Sequence, residues 1–356
     1  MVWTAWLGFW AAAIISSETV RIPPAEPTLR RFEAAETHMG SEFKLVLYCP
    51  DEATASRASR AAFDRIATLD SIFSDYQPES ELMRLCDRAG GPPVRVSRDL
   101  FLILQRARTM FERSEGAFDV TVGPVVRLWR RARRDHRMPS PELLAKARSL
   151  VSMDFVSLDE HDQTVRLMKP GMKLDLGGIA KGYASDAAIA TLREHGVSRA
   201  LVAGAGDIVT SGPPPGRAGW TVGIAPLDDP TKAPSLYLSL RDAAASTSGD
   251  AERYVEIEGK RYSHIVDPKT GLGVISRSSV TVVARDGTST DALATAVYCS
   301  GPERGLALVE KTPGAAAYIL LASEAGRIVY ESKRFTNLPR ALPKEQSEPT
   351  IHLRPQ

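Results

Sequence analysis

Short segments in which apolar and polar residues alternate recur along the chain, and they outnumber the segments with helical periodicity. A two-residue repeat puts every second side chain on one face, which is the pattern of a strand. Such segments stand at 41–48, 200–203, 220–224, 236–240, 253–257, 280–284, 317–321 and 328–332. Two more, 155–158 and 164–167, flank Asp159-Glu-His-Asp162 as the arms of a hairpin. Helical spacing is clearest at 51–73, where Ala61, Ile66, Leu69 and Ile72 fall on or near one face. A second helix is predicted over 97–113, and a third from the cap-and-proline start Ser140-Pro141-Glu142. A fourth runs over 180–194 and stops at Gly196. Many strands joined by short connections favour a mixed α+β fold with a largely antiparallel sheet and flanking helices over a doubly wound sheet.

The 356 residues, 43% apolar and 25% charged, suffice for a sizeable core and exclude a chain disordered throughout. One integrated catalytic domain is expected over 28–335, with a loose tail over 336–356. Residues 2–15 are almost wholly apolar, too few for a membrane span and the right length for a signal-peptide core. Segment 1–27 is therefore expected to be a leader and linker, which would make the chain exported to the periplasm or tethered to the inner membrane. It lacks the usual basic lead, and no cysteine follows it. The formal charge of +2 gives no general pull toward nucleic acid. One exception is the arginine-rich run 127–137, either a solvated helix end or loop, or a docking patch for an acidic partner. Three cysteines with no CxxC argue against a disulfide framework or a zinc site, and Cys49 and Cys299 read as buried thiols.

Four segments break the core pattern. In 116–124, Asp119 and Thr121 interrupt an apolar stretch, as in an Asx-type turn before a strand or as ligand contacts. In 174–183 a strand is expected to end at Gly177-Gly178 and lead into a helix near Ala180. Glycines let backbone approach a ligand, the helix start offers N–H groups to an anion, and Lys181 adds a charge. In Tyr262-Ser-His-Ile-Val-Asp-Pro-Lys-Thr-Gly271, His264 stands among Ser, Thr, Asp and Gly and is a candidate for proton transfer. In 288–297, Asp291 and Thr295 share a helix face, an oxygen-only pair that suits Mg²⁺; N-capping by Asp291 or Ser289 is the structural alternative.

Taken together these motifs resemble the ApbE family of FAD:protein FMN transferases. The carriers are 116–124, Asp-Leu-Gly-Gly-Ile-Ala-Lys-Gly-Tyr at 175–183, Thr-Ser-Gly-Asp at 247–250, Ser-His-Ile-Val-Asp-Pro-Lys-Thr-Gly at 263–271 and Thr-Asp-Ala-Leu-Ala-Thr at 290–295. Five motifs in one order, over roughly 35 to 325, are more specific than any one alone. The resemblance implies Mg²⁺-dependent transfer of FMN from FAD to a Thr or Ser hydroxyl of an acceptor protein, as a phosphoester, with AMP released. It implies an acceptor in a membrane redox complex. Water replacing the acceptor would make the chain an FAD pyrophosphatase, and no turnover would make it an FAD-binding protein. By resemblance, Met39, Tyr76, Ala117, Phe118, Asp119, Asp175, Lys181 and Ile265 line the flavin nucleotide site. Gly178, Asp291, Ala294 and Thr295 hold the metal, and His264 serves the transfer chemistry. Gly204-Ala-Gly206 departs from the family pattern, with alanine where a glycine pair is usual.

Overall fold

The computed structural model describes residues 28–342 apart from 228–231, 235 and 252, together with a short strand at Ile351–Leu353. The expected leader lies outside the described residues.

Eight strands form the central sheet: β1 (Arg30–His38), β2 (Ser41–Cys49), β3 (Arg199–Gly204), β4 (Asp207–Thr210), β5 (Ala244–Gly249), β6 (Ser278–Ala284), β7 (Ala316–Ser323) and β8 (Gly326–Glu331). Their order in space is their order in the chain, and every neighbouring pair is antiparallel. The two-residue period decides which face each side chain serves. In β2, Phe43, Leu45, Leu47 and Cys49 enter the main core, while Val46 and Tyr48 enter a second core on the opposite face. β6 divides likewise, with Val280 and Val282 on one side and Val283 on the other.

Among the described residues eight helices accompany the sheet: α1 (Glu52–Phe73), α2 (Glu81–Asp87), α3 (Arg98–Arg113), α4 (Gly123–Asp135), α5 (Pro141–Arg148), α6 (Ala180–Glu194), α7 (Gly287–Ser300) and α8 (Pro302–Glu310). The main core lies between the sheet and α1, α6 and α7, which pack side by side. Across the sheet, Trp220, Val222, Leu238 and Phe335 fill the second core. These come largely from a small sheet of Trp220–Ile224, Leu236–Leu240 and Ile351–Leu353. A third cluster joins α4 to the hairpin Tyr254–Ile257/Lys260–Ser263 through Trp129, Val255 and Tyr262. Among the described residues no helix is long and apolar enough to cross a membrane.

Several expectations change. Residues 30–38, where no strand was expected, are the edge strand β1. Residues 116–124 do form the Asx turn, but no strand follows. Asp119 Oδ1 accepts from Thr121 N at 2.8 Å, and the chain runs through a 3₁₀ turn (Val120–Val122) into α4. Residues 174–176 carry no strand ladder either; Leu174 N and Asp175 N bond to Cys86 Sγ and Val120 O instead. Part of the expected loose tail is held, since Ser239 N donates to Pro339 O and Ala341 N to Tyr237 O. The arginine run is the outer end of α4, closed by His136 in the left-handed conformation. Cys49 and Cys86 are buried, whereas Cys299 is only half-buried.

Candidate active site

A cavity of about 750 Å³ opens where loops from distant parts of the chain meet. Its walls are the β1–β2 hairpin tip, the segment after α1, the 117–122 turn, one face of α4, the loop entering α6, residues 264–268 and one side of α7. All the residues assigned to the site by resemblance line this cavity except Asp291 and Ala294, which are fully buried in α7 beside it.

Met39 reaches the cavity from a tight turn in which both Met39 (φ 50°) and Gly40 (φ 69°) are left-handed. A non-glycine residue there is unfavourable and needs outside support. Asp70 of α1 provides it, accepting from Met39 N at 3.0 Å. Asp119 borders the cavity, but its carboxylate is turned inward. Oδ1 takes Thr121 N and Oγ1, and Oδ2 takes Met153 N at 3.2 Å. Burial raises the pKa of this carboxyl. What segment 117–119 offers a ligand is therefore its backbone and the Phe118 ring.

The loop into α6 supplies oxygen and N–H groups. Gly178 must be glycine, since a Cβ there would stand 2.9 Å from Thr295 Oγ1 and 3.3 Å from Phe118 Cε2. That contact brings the 178 backbone against the α7 face carrying Asp291 and Thr295. Ser248 Oγ lies 3.4 Å from Thr295 Oγ1. Asp291 does not cap α7, as the sequence allowed. Asp286 is the N-cap, and Asp186 of α6 accepts from Gly287 N and Thr288 N at 2.7 and 2.8 Å. Asp291 instead takes Gly182 N on Oδ2 at 3.1 Å. One carboxylate, two hydroxyls and a nearby backbone form an oxygen-only set. It fits a hard cation that draws its remaining oxygens from substrate phosphates and water. Among the described residues no three His, Cys, Asp or Glu side chains cluster as a soft-metal site would require. Ala294 offers only its backbone. α6 begins without a side-chain cap, but its first N–H groups are engaged, Ala180 N with Leu176 O, Gly182 N with Asp291 Oδ2 and Tyr183 N with Ile179 O, so what this helix start brings to the cavity is Lys181.

His264 follows directly on the hairpin strand, and its loop is pinned from below by Trp129 Nε1, which donates to Gly271 O at 2.8 Å. Its Nδ1 lies 3.0 Å from Arg253 O. A carbonyl only accepts, so Nδ1 carries the hydrogen and Nε2 keeps its lone pair. Burial, reinforced by Arg253, Lys181 and Arg133, pushes the imidazole pKa down to about 3. The ring is neutral at pH 7.

The sequence reading passed over Arg130. Its guanidinium bonds Asp75 at 2.5 Å and Asp175 at 3.0 Å, and stacks 4.1 Å over the Tyr76 ring. It thereby ties the segment after α1 to the loop entering α6. Asp175 in turn accepts from Gly177 N at 2.8 Å, next to Gly178. Burial and the facing Asp75 raise the Asp175 pKa, against the pull of Arg130. Asp207, just after the Gly204-Ala-Gly206 departure, was given no role from the sequence. It is fully buried in β4, and burial together with Asp291 raises its pKa well above the usual range. The available signals were arginines three apart on an α4 face and an aspartate in an apolar strand.

The ApbE family model matches residues 39–319. The chain is 35% identical over 274 residues to an FAD:protein FMN transferase of Klebsiella pneumoniae, covering 77% of this chain and 84% of the relative. It is 33% identical over 317 residues to one of Treponema pallidum, covering 84% and 87%. The structure resembles the flavin transferase ApbE of Vibrio cholerae with a TM-score of 0.79 at 27% identity, covering 87% of this chain and 99% of that one. The ApbE protein of Thermotoga maritima gives 0.76 at 30% identity, covering 88% and 100%.

Proposed function

Because this chain belongs to the ApbE family, we propose that it transfers FMN from FAD to a Thr or Ser hydroxyl of an acceptor protein, with Mg²⁺ as cofactor and AMP as the second product. The observation that carries this reading is the convergence, on one cavity, of a neutral His264 with a free Nε2 lone pair, a cationic helix start at Lys181 and the oxygen set around Thr295.

The acceptor oxygen attacks the phosphorus of the FMN half. The bond from that phosphorus to the bridging oxygen breaks, and AMP leaves with the bridging oxygen. A hydroxyl is a poor nucleophile while it keeps its proton, and His264 Nε2 is the group prepared to take it. Lys181 holds the pyrophosphate, and Gly178, Asp291 and Thr295 would hold Mg²⁺. When bound, that ion offsets the charge that builds on the phosphate oxygens. Phe118, Ile265 and the backbone at 117–119 provide the apolar wall for the flavin or adenine ring. The proposed localisation is outside the cytoplasm, a reading drawn from the apolar segment 2–15 and from the acceptor class that the resemblance implies.

The experiment combines the protein, FAD, Mg²⁺ and an acceptor domain with an exposed threonine, read by in-gel flavin fluorescence. Covalent flavin on the acceptor, abolished by chelation and reduced ~10²–10⁴ in rate by His264→Ala, is the expected result. Free FMN and AMP without labelled acceptor would make the chain a pyrophosphatase, and intact FAD would make it a binding protein.

A further inference from the structure

Among the described residues, two guanidiniums at the cavity have no counter-ion. Arg133 is one helical turn beyond Arg130 on α4, and Arg253 lies just before the strand Tyr254–Ile257; both line the cavity. Arg130 is committed to Asp75 and Asp175. By contrast, neither the Arg133 nor the Arg253 guanidinium makes a hydrogen bond or ion pair with another described residue. Both share the cavity wall with His264; burial lowers the Arg133 pKa, with Arg130 and Arg253 adding to it, and both Arg133 and Arg253 add to burial in lowering that of His264. Like charges held together beside a reaction centre, at a cost in repulsion, are expected where an anion completes the arrangement.

We propose that Arg133 and Arg253 form a docking notch for an acidic side chain of the acceptor protein, next to the hydroxyl that receives FMN. The inference rests on the flavin-transfer reading above. Two observations favour an acceptor carboxylate over the pyrophosphate. The pyrophosphate already has its own compensation in Lys181 and in the oxygen set for a cation. The positive surface also continues outward, because Arg131 and Arg137 are exposed at the end of α4, where a protein reaches and a nucleotide inside the cavity does not. Arg253 is itself exposed and Arg133 half-buried, so the notch is approached from outside. The planar fork of arginine matches a carboxylate in two-point contact. This gives the arginine-rich run a specific use: its inner residue meets the acceptor near the target hydroxyl, and its outer residues steer it there.

The test uses two synthetic threonine peptides, identical except that glutamates flank the threonine in one and glutamines in the other. Binding to the FAD-loaded full chain is followed by fluorescence anisotropy, and FMN transfer by mass spectrometry. The glutamate peptide should bind roughly three- to tenfold more tightly, a preference that Arg133→Gln and Arg253→Gln each reduce and high salt weakens. Equal binding of the two peptides would overturn the proposal. So would arginine variants that raise the dissociation constant for FAD by as much as that for the peptide, since the arginines would then serve the nucleotide. Arginine-dependent binding of the glutamate peptide without any FMN on it would refute the transfer reading separately, and with it the identification of the bound peptide as acceptor.

Discussion

A neutral imidazole with one nitrogen committed to a carbonyl and the other holding its lone pair is ready to accept a proton. The surroundings of His264 keep it in that state over most of the pH range, and this has a consequence for stability. Its folded pKa, about 3, lies below the unfolded value near 6.5. Between these values the unfolded chain binds a proton that the folded chain refuses, so the folded state loses stability as pH falls through that window. Urea unfolding at pH 7 and pH 4.5 should show wild type losing more stability than His264→Gln over that interval; an equal loss would contradict the assignment. Arg130 carries a second prediction. Arg130→Ala leaves Asp75 and Asp175 facing each other without a cation, which should cost about 1–3 kcal/mol and raise KM for FAD. Arg130→Lys should recover only part of this, because an ammonium does not span two carboxylates as a guanidinium does. His264 was legible in the sequence because Ser, Asp and Gly surrounded it. Arg130 was not, because nothing in an arginine run says which member turns inward.

The element on which the proposed cation site depends is the crossing of α6 and α7. Gly182 meets Gly287 so closely that a Cβ on Gly182 would stand 2.0 Å from Gly287 O and 2.9 Å from Asp291 Cβ. Gly182→Ala must therefore push the helices apart and move Asp291. The expected result is a loss of about 1–3 kcal/mol in stability, typical of overpacking. A higher Mg²⁺ concentration for half-maximal activity should accompany it. Thermal unfolding and a metal titration check both, and a variant with unchanged Mg²⁺ dependence would show that the crossing does not position the site. Helices with a cap residue and a regular apolar period were readable from the chain: Ser140 caps where expected, and Asp51 and Ser97, the first residues of the two ranges expected to be helical, are N-caps. The hairpin Val156–Asp159/Thr164–Leu167 was readable for the same reason, as two alternating runs around a polar turn. Elements with weaker local signals were missed. β1 is an edge strand of charged and half-buried residues, and α4 follows an aspartate turn that locally resembles the approach to a strand. The alanine departure at 204–206 falls in the β3–β4 turn, where Ala205 (φ 47°) and Gly206 (φ 94°) are both left-handed.

At the scale of the molecule, the alternation of apolar residues specified the antiparallel α+β class, because period two assigns faces without knowledge of strand order. It did not reveal that the eight strands lie in chain order. That depends on the α1–α6 and α7–α8 segments being long enough to pack on one face while the strands pair in sequence. The cavity was legible only as separate motifs, since its walls are contributed by segments from Met39 to Cys299. A ligand that bridges such walls stabilises the whole domain. FAD with Mg²⁺ at ~100 times its dissociation constant should add about 2.7 kcal/mol and raise the melting temperature by roughly 5 °C. No shift with FAD would mean that the cavity is not its site. The central claim is that this cavity splits FAD between its phosphates and hands the FMN half to a protein hydroxyl. The most direct measurement is the ratio of AMP released to FMN bound covalently on a threonine-bearing acceptor domain in the same reaction. The account predicts a ratio of about one, with both products lost together in His264→Ala, by the atom balance of direct transfer. AMP formed in large excess over acceptor-bound FMN, or FAD remaining intact, would contradict it.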